Sequence, residues 1–176
     1  MLDPSDWAAM LLRLGVATLI GLVLGLEREW HRHDAGLRTH ALVSLSSAMI
    51  TISSLLLFDT LRREGGHSDP LRVIQGLAQA IGFIAGGLIF IRGGGVRNMT
   101  TAASLWTAAA AGIGAGAGQY LLVGLASAMA ALLLLLDRWV KRWLPAHRHT
   151  RAGDEPDRLP NRRGSTRMTA SRESDR

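Results

Sequence analysis

The sequence predicts an all-α, polytopic membrane protein: a bundle of about five transmembrane helices within residues 1–144, followed by a polar basic tail at 145–176. Three observations predict it. Apolar residues make up 48% of the 176-residue chain, and they gather in long runs ahead of residue 145. The charged residues fall between those runs. The tail holds only Ala146, Ala152, Leu159, Met168 and Ala170 as apolar residues. It cannot bury enough surface to offset its ordering entropy, so it is expected to be disordered.

The spans follow from length. A bilayer core needs about 20 helical residues, roughly 30 Å at 1.5 Å each. Span one is placed at about 8–26, with Ser5 or Asp6 as its cap. The acidic start around Asp3 and Asp6 does not read as a secretion signal, which needs basic residues there. Span two is placed at about 39–58 and span three at about 73–91. The stretch from Thr101 to Leu136 carries no charge but is far too long for one crossing. Its middle, Gly112-Ile-Gly114-Ala-Gly116-Ala-Gly118-Gln-Tyr120, weakens a helix and suits a membrane interface. It divides into spans at about 100–116 and about 119–137.

Orientation follows from the basic residues, which favour the cytoplasmic side. The first loop has three Arg, the third two, and the segment after span five eleven Lys and Arg, against three Arg in the second loop. The N-terminus is therefore expected outside, in the periplasm, and the C-terminus in the cytoplasm. Trp30, Trp139 and Trp143 then fall at the inner interface, and Trp7 and Tyr120 at the outer, as an aromatic belt requires. Charges beyond the last span, among them Arg138, Lys141 and Arg142, suit anionic lipid.

The same arithmetic excludes several classes. The absence of cysteine excludes disulfides and thiolate metal sites. The formal charge of +6 is shared between body and tail and lies between apolar runs, so nucleic acid is not an expected partner. No set of nucleophile, base and acid is evident, so no enzyme is expected. Gly93-Gly94-Gly95 lacks the Gly-Lys-Ser/Thr ending of a phosphate loop and reads as a turn.

Small residues recur four apart: Ala17, Gly21 and Gly25 in span one, Ala78, Gly82 and Gly86 in span three, and Ala108, Gly112 and Gly116 in span four. In lipid, helices associate through the close approach that small residues allow. These positions are read as helix-packing faces, with Gly21, Gly25, Gly82 and Gly86 as their centres. A site lined by backbone is the alternative.

Two clusters carry the polar chemistry. The first is Gly25-Leu-Glu27-Arg28-Glu29-Trp30 at the end of span one, followed by Ala35-Gly-Leu-Arg38-Thr39-His40. Glu29 lies four residues past Gly25, so it is expected to face the bundle, with Glu27 turned elsewhere. The second is Arg92-Gly-Gly-Gly-Val-Arg97-Asn98-Met-Thr100-Thr101-Ala-Ala-Ser104-Leu-Trp106, in which Asn98, Thr100 or Thr101 caps span four. The first and third loops share a side, so Glu27, Glu29, Arg38 and Arg97 are expected to form one charge network. That network reads either as an ion or partner site or as ion pairs that fix the topology. Mg²⁺ would take one or two carboxylates and several waters, which leaves no diagnostic spacing. His31 and His33, with His40 nearby, could ligate Zn²⁺ or Ni²⁺, but they lack a recognised spacing and read rather as a solvated basic loop. Arg13, inside span one, reads either as functional or as snorkelling outward.

At these clusters the sequence resembles the MgtC/SapB family of bacterial membrane proteins. The resemblance runs through Gly21–Glu29 as G-x-x-x-G-x-E-R-E and then Ala35-Gly-Leu-Arg-Thr-His40-Ala-Leu-Val43. It continues with Ile81-Gly-Phe83 and ends with Val96-Arg97 and Thr100-Thr-Ala-Ala-Ser-Leu-Trp106. It implies an inner-membrane protein tied to magnesium limitation and, in some pathogens, to survival inside host cells. Glu27, Arg28, Glu29, Arg38, Thr39, His40, Arg97 and Thr101 match its motif positions. Ala80, Ile84, Ala85 and Gly86 depart from the family pattern, and Asn98 stands where a glycine is usual. Many relatives carry a C-terminal soluble regulatory domain, and here only the tail stands in its place. The resemblance implies regulation of a membrane partner in magnesium homeostasis, or alternatively a small transporter or channel for Mg²⁺ or another solute. Beyond the lipid bilayer, the expected partner is a membrane protein or a second copy of the chain. No cofactor is expected, and Mg²⁺ would bind weakly if at all. A tail that recruits a cytoplasmic factor is a third reading.

Overall fold

The structure is a computed structural model that describes residues 5–30, 34–67, 69–92 and 95–143, with side chains described except at 90–95 and 137–143. The chain divides into one unit, Met1–Leu144, and a second, Pro145–Arg176. The tail expectation falls on that second unit, outside the described residues, as do His31 and His33. The side chains of Trp139 and Trp143 are likewise not among those described.

Among the described residues five helices follow in order: α1 Trp7–Trp30, α2 Leu37–Arg63, α3 Leu71–Leu88, α4 Met99–Gly116 and α5 Tyr120–Trp143. Between α3 and α4 stands a short antiparallel hairpin, β1 Phe90–Arg92 and β2 Gly95–Arg97. Its register pairs Phe90 with Arg97 and Ile91 with Val96. The expected end of span three at residue 91 is thus three residues late. Phe90 and Ile91 continue the apolar run but are aromatic and β-branched, and they pair as strand. The architecture is otherwise the expected all-α membrane bundle.

Helix ends follow local chemistry. Asp6 caps α1, its Oδ1 accepting the Ala9 N–H at 3.0 Å. Asp69 Oδ1 accepts the Leu71 N–H at 2.9 Å where α3 begins. The long apolar stretch does break at its glycines. Gly118 adopts φ +79°, its N–H donates to Ala115 O, and the Gln119 N–H donates to Gly114 O. This is a Schellman ending, which a residue with a side chain would strain.

Membrane character is visible in what the fold leaves uncovered. Leu12, Leu19, Leu57, Phe83, Leu121, Leu125 and Leu133 are all exposed. In water such a surface would aggregate, whereas in lipid it is the solvated face. The helices α1, α2 and α3 are each long and apolar enough to cross a bilayer. Within α5 the apolar part runs Tyr120–Leu136. The central helix α4 is rich in alanine and glycine, and eleven of its eighteen residues are buried. Its low side-chain bulk lets the other helices close around it.

The core is the α1–α2–α4 triple. Two of the three expected small-residue faces build it. A methyl group on Gly21 would lie 2.7 Å from the Ala41 Cα, and one on Gly25 would lie 2.7 Å from the Leu37 Cα. Further along the same stripe of α2, one on Gly112 would strike the Ser44 backbone, and one on Gly116 would lie 2.7 Å from Ala48 O. Ala17, Ala48 and Ala115 meet in the middle, with Leu14 and Val16 against them. The Ser44 hydroxyl donates to Ala17 O at 2.7 Å, tying α2 to α1.

The third face is a correction. Gly82 and Gly86 are exposed, with nothing near the place of an added Cβ. The face that α3 buries is Leu77, Ile81 and Ala85. The glycines lie more than 90° round the helix from the centre of that face.

Candidate functional site: a polar centre between α1, α2 and α4

Among the described residues, seven polar or charged ones are buried: Arg28, His40, Ser44, Ser47, Thr51, Thr101 and Ser104. Three of them, Arg28, His40 and Thr101, are sequence-predicted site residues. They lie toward the end of the bundle that holds the first loop and the hairpin. Those two loops meet as expected: the Asn98 amide donates to Asp34 Oδ2 and, at 3.2 Å, to Leu88 O.

His40 is fully buried in the first turn of α2, so the expectation of a solvated histidine does not hold for it. Gly25 clears the space beside its Cβ. Its Nδ1 lies 2.9 Å from Gly36 O. A carbonyl only accepts, so Nδ1 carries a proton. Its Nε2 lies 3.0 Å from Ser104 Oγ, and Ser104 Oγ lies 2.9 Å from Thr101 O. Two proton arrangements satisfy this chain. Either the Ser104 hydroxyl donates to Nε2, or a protonated Nε2 donates to Ser104, which donates on to Thr101 O.

Arg28, and neither glutamate, is the charged residue that α1 buries. The buried face of α1 is Ala17, Gly21, Leu24, Gly25 and Arg28. Leu24 belongs to it, which centres the face on Arg28 rather than on Glu29. Arg28 Nε lies 3.1 Å from Glu27 Oε2, and Nη1 donates to Thr100 Oγ1 over a long 3.4 Å. An arginine beside the N-terminus of α4 has the wrong sign for that end of the helix dipole, and the Glu27 carboxylate offsets it.

Glu29 is exposed, yet it has a structural task. Its Oε2 accepts the Leu37 N–H at 3.1 Å. Gly36 occupies the N-cap of α2 without a capping side chain, so α1 lends the missing acceptor. A Cβ at Gly36 would run into this carboxylate. The expected single network of Glu27, Glu29, Arg38 and Arg97 is therefore not formed. Glu27 pairs with Arg28, Glu29 caps α2, and Arg38, Thr39 and Arg97 are exposed. Thr101 is fully buried, and its hydroxyl has no partner among the described residues.

Several roles were not legible in the sequence. Asn98 holds φ +64° and does not cap α4 with its side chain. Asparagine tolerates that left-handed conformation better than most residues with a Cβ. Arg13 Nη1 donates to Gly116 O at 2.6 Å, placing a cation at the C-terminal end of α4, where the dipole favours it. Ser104 belongs to the second cluster, but the sequence assigns it no role of its own. Its spacing of three from Thr101 was the available signal. Among the described residues, no three His, Asp or Glu gather as a metal site would need.

The MgtC family model matches residues 14–143, which covers α1 from Leu14 onward, all of α2 to α5 and the polar centre. Protein SapB of Bacillus subtilis is 36% identical over 97% of this chain and 68% of its own length. Protein MgtC of Salmonella typhimurium is 35% identical over 72% of this chain and 49% of its own. An uncharacterised protein of Synechocystis is 40% identical over 65% of this chain and 46% of its own. The chain thus spans about half the length of the Synechocystis and Salmonella relatives. No solved structure matches. The chain belongs to the MgtC family.

Proposed function

We propose that the chain is a non-enzymatic protein of the bacterial inner membrane that serves adaptation to low magnesium by acting on a membrane partner. Its N-terminus lies in the periplasm and its C-terminus in the cytoplasm. The carrying observation is how the buried polar residues and Glu29 are engaged. His40, Ser104 and Ser44 hydrogen-bond to protein groups, and Glu29 holds a helix end. A conduit for a divalent cation needs oxygens that face water and the ion. Here those atoms hold three helices together, which suits a rigid scaffold presenting a surface. Family membership supports the magnesium link, and proteins of this family are not known as enzymes.

A bacterial strain lacking its own family member, grown at limiting magnesium, tests the reading. The full chain is expected to restore growth without raising the initial rate of Mg²⁺ uptake. Uptake that rises in proportion to the amount of protein would favour the transporter reading instead. A reporter fused after Arg176 is expected to be cytoplasmic.

A further inference from the structure

We propose that α3 is the surface through which the chain pairs with a second copy of itself, by amide hydrogen bonds of Gln75 and Gln79. The starting point is an uncovered polar face in a membrane span. Gln75 and Gln79 are both exposed, and neither side chain makes a hydrogen bond among the described residues. Gln79 is the ninth of the eighteen residues of α3, so it sits about 12 Å from either end, near mid-bilayer. An amide facing hydrocarbon there carries unsatisfied donors and an acceptor, a costly arrangement unless another helix supplies partners.

The face has the shape of a seam. Gln75, Gln79, Gly82 and Gly86 are spaced 4-3-4, the repeat that keeps one stripe against a partner helix in a left-handed pair. The stripe lies on a different face from Leu77, Ile81 and Ala85, which pack into the bundle. Gly82 and Gly86 leave open space where a side chain would stand, so a second backbone can approach closely. A second copy is the occupant because an amide is its own complement. Each glutamine donates and accepts, and two-fold symmetry about the membrane normal brings like residues together at the same depth. The inference does not rest on the role proposed above.

The chain has no cysteine, so single cysteines report directly. Gln75→Cys and Gly86→Cys retain Gln79 and lie on the seam. Ala80→Cys, Ile84→Cys and Gly87→Cys are exposed elsewhere on α3. Oxidation in native membranes is expected to give a dimer of the chain at 75 and 86, several-fold above 80, 84 and 87. Energy transfer between labelled copies in vesicles is the second readout. Gln75→Leu with Gln79→Leu is expected to weaken association about tenfold, while Gln79→Asn retains it. Both variants change exposed residues and should elute as folded protein. Equal crosslinking at all five positions, a product of another mass at the seam, or unchanged association in the double variant would overturn the proposal.

Discussion

The imidazole of His40 on α2 and the hydroxyl of Ser104 on α4, 64 residues apart in the chain, meet at 3.0 Å in the interior of the helix bundle. The bond joins two helices whose backbones are already close at Gly112 and Gly116, and its far side is anchored by Gly36 O. Ser104→Ala leaves Nε2 buried without a partner. The expected loss is about 1–3 kcal/mol, read as a lower melting temperature in detergent. Unchanged stability would mean that the pair holds nothing.

The glycines should separate into two classes. Gly112→Ala places a methyl group against the Ser44 backbone, which cannot move without opening the α2–α4 contact. Overpacking of this kind costs about 1–3 kcal/mol. Gly82→Ala meets nothing within the chain, and alanine is the better helix former by roughly 0.5–1 kcal/mol. The melting of detergent-solubilised monomer is expected to fall for the first and to hold or rise for the second. The opposite order would contradict the packing described.

That contrast also shows what a sequence can carry. Small residues four apart gave three candidate faces, and α1 and α4 used theirs. Spacing marks a face but not its neighbour, so α3 turned Leu77, Ile81 and Ala85 inward instead. The break at Gly118 was legible because a chargeless stretch too long for one crossing must turn somewhere. The burial of Arg28 was not, since Arg28 and Glu29 are adjacent and only the burial of Leu24 decides between them. The left-handed Asn98 and the Arg13 cap depend on contacts with Leu88, Asp34 and Gly116, which no local pattern announces.

Glu29 should behave as a cap. Glu29→Ala removes the acceptor for the Leu37 N–H and is expected to cost about 1 kcal/mol. Glu29→Gln keeps an oxygen but loses the charge at the helix end, so it should cost less. Hydrogen exchange at residues 37–39 is expected to quicken more in Glu29→Ala than in Glu29→Gln. Equal protection in both variants would remove the capping role.

Asn98 allows a test of backbone against side chain. Asn98→Gly keeps φ +64° at no steric cost but loses the bonds to Asp34 and Leu88 O. Asn98→Ala loses the same bonds and adds about 1–2 kcal/mol of left-handed strain. Thermal stability is expected in the order Asn98, Asn98→Gly, Asn98→Ala. Asn98→Ala matching or exceeding Asn98→Gly would contradict the assigned conformation.

The central claim is that the buried polar centre is a structural tie and not a conduit. The most direct measurement reconstitutes the purified chain in liposomes and follows Mg²⁺ entry with an internal indicator. Empty liposomes and the Glu29→Gln and Arg97→Ala variants serve as controls. The account expects entry no faster than into empty liposomes, from protein shown to be folded. Entry well above that baseline, and lost in either variant, would contradict it and make the chain a transporter.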